Sequence, residues 1–203
     1  MRRTLVYVLV GLAVLTGPAA SGWAQVVVGE AAPDFTLNDP SGTPHSLKEF
    51  AKTFVVLEWF NKDCPFVRKH YGSGNMQRLQ STYTARGVTW LTISSSAPGK
   101  QGYIAPKEGR AVVAQNEMHA TSLLLDPDGT VGRLYGAKTT PHLFVINPEG
   151  VVIYAGAIDD APSTDPADIG AANNYVAQAL NEAMEGKPVS TPQTASYGCS
   201  VKY

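Results

Sequence analysis

Cysteine is nearly absent from this chain of 203 residues: Cys64 and Cys199 are the only two, 135 positions apart. Neither has a second thiol three or four positions away, so no local dithiol loop and no cysteine-rich zinc site can be written. The four histidines, His45, His70, His119 and His142, are scattered, and the His-x3–5-His spacing of a metal site is missing. There is no glycine-rich phosphate loop and no Gly-x-Ser-x-Gly elbow. No basic block or stripe occurs either, which argues against nucleic acid and anionic membrane as partners. The one long hydrophobic run, from Leu5 to about Gly17, is too short for a comfortable membrane span.

What is present begins with that run. Arg2 and Arg3 precede it, and small residues follow up to "SGWAQ". This is the layout of a secretory signal over residues 1–24, cut after Ala24, with an uncleaved anchor as the alternative. No cysteine lies near the cut, which argues against lipid modification there. Removing Arg2 and Arg3 from the 16 lysines and arginines leaves 14 against 17 carboxylates, a net charge of −3. The expected location is periplasmic or extracellular, with no integral membrane segment after cleavage. Export also puts both cysteines where disulfides are permitted, so one structural bridge is the simplest use for them.

With 44% hydrophobic and 16% charged residues, the rest reads as one globular domain over 25–186 and a tail over 187–203 that carries Cys199. "FTLNDPSGTPHSL" predicts a hairpin, and Ser46 a cap for a short helix over 47–51. "TFVVLEWF" (53–60) is β-branched and aromatic almost throughout, as in a strand buried on both faces. A proline-led helix follows from Pro65, broken near Gly72 and Gly74 and resuming over 75–86. Next come a strand over 87–96, a helix over 105–119, the strand "TSLLLD" and a short helix closed by Gly136. A hairpin around "NPEG" and a last helix over 168–185 complete the pattern. The fold class is α/β: a mixed central sheet flanked by helices, its first strands joined by a right-handed crossover, with an N-terminal hairpin extension.

In such sheets chemistry gathers at the carboxyl ends of the strands. Cys64 lies there, four residues past the most apolar strand and just before the proline that opens a helix. A helix N-terminus and a nearby cation both favour the thiolate, so Pro65 and Arg68 enter the candidate site, Arg68 as thiolate stabiliser. A buried, inert cysteine is the alternative. Glu58, between apolar neighbours and facing opposite to Trp59, reads either as a proton-transfer group under Cys64 or as an edge-facing surface glutamate. His70 reads as a solvent-facing histidine rather than a relay.

The segments "APDFTLNDPSG", the strand-then-"CP" junction and "YGAKTTPHLFVINPEGVVIYAG" resemble the thioredoxin-like redoxins, including the thiol-specific antioxidant branch, over roughly residues 28–186. The resemblance implies a thioredoxin-like fold, with Thr140–Pro141 as a cis pair facing Cys64 and forming the substrate-docking edge. It also implies redox chemistry on thiols without an organic or metal cofactor.

The departures are informative. Val67 and Arg68 stand where thioredoxins and copper chaperones of the family carry their second cysteine. Asn61 and Leu57 stand where peroxiredoxins carry threonine and proline. The terminal "YGCSVKY" resembles the tail of a group of exported redoxin-like proteins, which implies that Cys199 is the resolving thiol; a chance cysteine on a loose tail is the other reading. The expected function is therefore that of an exported thiol–disulfide oxidoreductase with Cys64 as nucleophile. Its partners are protein or small-molecule thiols and disulfides and an unidentified redox partner. The alternatives are a thiol peroxidase acting on peroxides, and a non-catalytic binding domain stapled by Cys64–Cys199.

Overall fold

The computed structural model describes residues 26–203, so the signal reading of residues 1–24 lies outside the described residues. A seven-stranded mixed sheet runs through the domain. Its middle is β3 (Val55–Trp59), buried at every position as its apolar run predicts. β4 (Thr89–Ser94) pairs with β3 in parallel, and β5 (Ser122–Leu125) pairs in parallel with β4. On the other side β7 (His142–Ile146) runs antiparallel to β3 and turns into β8 (Val152–Gly156). The N-terminal hairpin, β1 (Thr36–Asn38) and β2 (Pro44–Ser46), adds to the free side of β5. Ser46 then caps a turn of 3₁₀ helix over Leu47–Phe50: its hydroxyl accepts from the Lys48 N–H and the Glu49 carboxylate accepts from its own N–H.

The strand period of two divides β3 between two cores. Val55, Leu57 and Trp59 face Tyr135 and Phe144, on the side of α4 (Thr130–Tyr135). Val56 and Phe60 face the opposite side, with Tyr71 of α1 (Pro65–Gly72), Met76 and Tyr83 of α2 (Asn75–Thr84), and Val176 and Leu180 of α5 (Tyr175–Met184). α3 (Pro106–Gln115) bridges β4 to β5 and adds Val112 to that second core. Among the described residues no helix is long and apolar enough to cross a membrane.

Two departures from the sequence reading concern ends of helices. The last helix starts at Tyr175 rather than 168, because the Asn174 side chain accepts from the Ala177 N–H and caps it there; Pro166–Gly170 forms a separate 3₁₀ turn. α3 stops at Gln115 rather than 119, with Glu117 in the left-handed region at φ 47°.

The tail over 187–203 folds back across the domain, as a bridge between Cys64 and Cys199 requires. Pro192 and Thr194 exchange backbone bonds with Ala155 at 3.1 Å. The end of the tail forms β9 (Cys199–Ser200), which pairs antiparallel with β6 (Thr139–Thr140) in a small second sheet.

Candidate active site

Cys64 occupies the N-cap of α1, with Pro65 in the first turn, where its missing N–H costs nothing. The turn before it is fixed by short bonds. The Cys64 N–H donates to the Asn61 carbonyl at 3.1 Å, and Asn61 Oδ1 accepts from the Asp63 N–H at 2.9 Å. The cysteine side chain is fully buried, and its thiol donates to the Thr140 carbonyl at 3.0 Å. The Thr140–Pro141 peptide is cis, as the resemblance implies. Pro65 is exposed, whereas Thr140 and Pro141 are covered.

What covers them is the tail. Thr140 stands opposite Cys199 in the β6–β9 ladder, and Cys199 packs against the core cluster that holds Cys64. Both are free cysteines. Gly198 makes the approach possible at φ 132°, since a Cβ there would lie 2.1 Å from the Thr140 carbonyl oxygen. Tyr197 anchors one side: its hydroxyl donates to Asp159, and its ring meets Phe66 edge-on with centroids 5.8 Å apart. Tyr203 anchors the other, donating to the Ala137 carbonyl at 2.8 Å under the guanidinium of Arg133, 4.5 Å from the ring centre. Between them the Ala97 N–H donates to the Lys202 carbonyl at 2.7 Å.

The electrostatics of the pair are asymmetric. Burial pushes the Cys64 thiol up. The neighbouring Cys199 thiol, Thr140 and the N–H groups of Val67 and Cys199 outweigh it, and the pKa falls below the ordinary cysteine value. Cys199 moves the other way, to about 11, through burial and then through its bond to Cys64.

Arg68 is placed differently from the sequence reading. Its side chain is exposed and turned to Asp63 at 3.3 Å and the Lys62 carbonyl at 3.2 Å. Asp63 competes for it because Asp63 sits on the turn one residue before Cys64. Glu58 does face the α1–α2 side and is fully buried rather than on an edge. Yet its oxygens are filled by Tyr71 and Trp90, both at 2.8 Å, Gln80 at 3.0 Å and Thr92 at 3.1 Å, and it makes no hydrogen bond to Cys64. Burial raises its pKa against the pull of those four donors.

His70 is a correction: it is completely buried, not solvent-facing. It lies six residues past Cys64 on α1, where its ring meets Asn75, Tyr197 and Asp159. Burial holds its pKa at about 4, despite the opposing Asp159, so the ring is neutral at pH 7. With Asn75 donating to Nδ1 at 2.9 Å, the proton belongs on Nε2, which faces the Tyr197 oxygen at 3.3 Å. Asp159, Asn75, Phe66 and Gly198 were not singled out from the sequence. Only the "YGCSVKY" tail pointed toward them.

A cysteine at a helix N-terminus, a cis proline facing it and a mixed sheet beneath define a thioredoxin-like redoxin. The chain belongs to the AhpC/TSA family, whose profile matches residues 28–155. No curated protein matches it. Among solved structures it is similar to a hypothetical protein of Sinorhizobium meliloti, with 25% identity over 89% of this chain and 96% of that one, at a TM-score of 0.74. An uncharacterised protein of Geobacillus kaustophilus gives 25% identity over 88% and 93%, at a TM-score of 0.75. A putative thiol:disulfide interchange protein DsbE of Chlorobium tepidum gives 26% identity over 64% and 85%, at a TM-score of 0.51.

Proposed function

We propose that this redoxin is an exported thiol–disulfide oxidoreductase in which Cys64 is the nucleophile and Cys199 the resolving thiol. The observation that carries the reading is the Thr140–Cys199 register, which packs Cys199 against the core cluster that holds Cys64; the two thiols are also shifted in opposite directions. Export rests on the pattern of residues 1–24 alone.

In the reductive direction the Cys64 thiolate attacks a substrate disulfide, and one substrate sulfur leaves with the electron pair. Cys199 then attacks the Cys64 sulfur of the mixed disulfide and displaces the second substrate thiolate, which takes up the proton that Cys199 gives away. The product is a Cys64–Cys199 disulfide and a reduced substrate; the redox partner returns two electrons. Thr140 and Pro141 shape the docking edge and Pro65 borders it. Glu58 holds α1, α2 and β4 together through its four donors.

Family membership supports a second reading, a thiol peroxidase with Cys64 oxidised to a sulfenic acid onto which Cys199 condenses. Asn61 in place of the family's threonine weighs against it. The test is a side-by-side rate measurement on the mature protein with hydrogen peroxide and with a reporter protein disulfide. Faster turnover of the disulfide is expected; faster consumption of peroxide would exchange the two readings.

A further inference from the structure

The last residues of the chain do more than deliver a second thiol: they occupy an edge with the shape of a peptide site. β6 has no strand neighbour among the described residues other than β9. Along it Thr139 faces Ser200 and Thr140 faces Cys199, and the Val201 N–H adds a bond to the Lys138 carbonyl at 3.2 Å. A ladder of two residue pairs holds little by itself. Recognition comes from three successive side-chain positions. At the first, the Tyr197 ring packs edge-on against Phe66 while its hydroxyl reaches Asp159. At the second, only glycine fits, since any Cβ would run into the Thr140 carbonyl. At the third, Cys199 stands opposite Thr140 and packs against the core cluster that holds Cys64. Beneath them Cys64 has no exposed surface, so no macromolecular partner reaches it while the segment is in place.

We propose that the β6 edge, with Phe66 and Asp159, is a binding site for an extended aromatic-glycine-cysteine segment of a partner protein, filled at rest by the chain's own Tyr197–Gly198–Cys199. The inference rests on Cys64 being the reactive thiol. Its mode is strand addition, with main-chain bonds giving affinity and alternate pockets giving selection. A tethered segment competes at an effective concentration in the millimolar range, so a partner enters when the strap lifts. The chemical step is disulfide exchange. The Cys64 thiolate attacks the partner's cysteine sulfur, a Cys64–partner bond forms, and the partner's previous disulfide breaks with its electron pair leaving on the other thiol.

The experiment uses the full mature chain carrying Cys199→Ser, so that no internal disulfide forms. Three probes are compared: the octapeptide Ser-Tyr-Gly-Cys-Ser-Val-Lys-Tyr activated as a mixed disulfide with thionitrobenzoate, the same peptide with alanine in place of glycine, and a small aromatic disulfide. Release of the coloured thiol gives the rate. The glycine peptide is expected to react about tenfold faster than the alanine peptide. Adding Gly198→Ala, which lifts the strap, is expected to raise the glycine-peptide rate by about a further tenfold while the preference persists. If that variant fails to fold, the peptide comparison on the Cys199→Ser chain still decides. Equal rates for the two peptides, with the small disulfide reacting normally, would overturn the site and leave the thiol chemistry standing. Inertness toward all three probes would overturn the thiol chemistry and the site with it.

Discussion

Thr140 serves both thiols: its carbonyl receives the Cys64 thiol at 3.0 Å, and its backbone is the register partner of Cys199. One residue on a two-residue strand thus joins the helix that presents the first cysteine to the tail that presents the second.

Replacing Cys64 with serine is expected to abolish thiol exchange and leave the fold in place. The serine oxygen fits the same space and can donate to the Thr140 carbonyl, so the melting temperature should move by only a few degrees. Turnover and a thermal melt on the same sample check this; retained activity would remove Cys64 from the mechanism.

The Cys199 thiol leads the groups that lower the Cys64 pKa against burial. Cys199→Ala takes away that donor, so the Cys64 titration should move upward, toward or past the ordinary value near ~8.5. Alkylation rate against pH in wild type and variant reads the shift directly. A midpoint that does not move would show the thiols to be uncoupled.

His70 and His142 are both held at about 4, His70 by burial against the pull of Asp159 and His142 by burial and Lys138. Each is neutral when folded and charges near ~6.5 when unfolded, so below that value the unfolded chain binds more protons. Stability is therefore full above about pH 6.5 and falls as the pH drops toward 4. For His70 alone the loss is on the order of 3 kcal/mol. The variant His70→Gln should flatten part of the slope, leaving the His142 share, as seen in melts across pH 7 to 4.

Glu58→Gln is expected to destabilise rather than to slow proton transfer. The carboxylate accepts from four donors, and an amide turns an N–H₂ toward some of them. One unsatisfied buried group costs about 1–3 kcal/mol, read as a lower denaturation midpoint with an unchanged pH–rate profile. A profile that changes at constant stability would return Glu58 to the reaction.

Much of this architecture was legible because it is local. The apolar run of β3, Pro65 at the start of α1, the Ser46 cap and Gly136 after α4 each state their structure within a few residues. The opposite facing of Glu58 and Trp59 followed from the period of two. His70 was misread because nothing in α1 tells that Tyr197 and Asp159, 127 and 89 residues away, close over that face. The Arg68 side chain turns to Asp63, a nearer partner that the helix-start reading did not weigh. β9 has two residues and no periodicity, so its pairing with β6 could be suspected only from the glycine, the cysteine and the flanking tyrosines.

The central claim is that Cys64 and Cys199 form a reversible redox pair. Mass spectrometry of the oxidised mature protein, digested without reductant after equilibration in a glutathione redox series, tests it most directly. The account predicts a peptide linking Cys64 to Cys199 that opens at a moderate potential, in the range of exchange-active proteins rather than below about −300 mV, where structural bridges lie. A link that persists through the whole series would make the pair a permanent staple, and no linked peptide under any oxidising condition would contradict the pairing altogether.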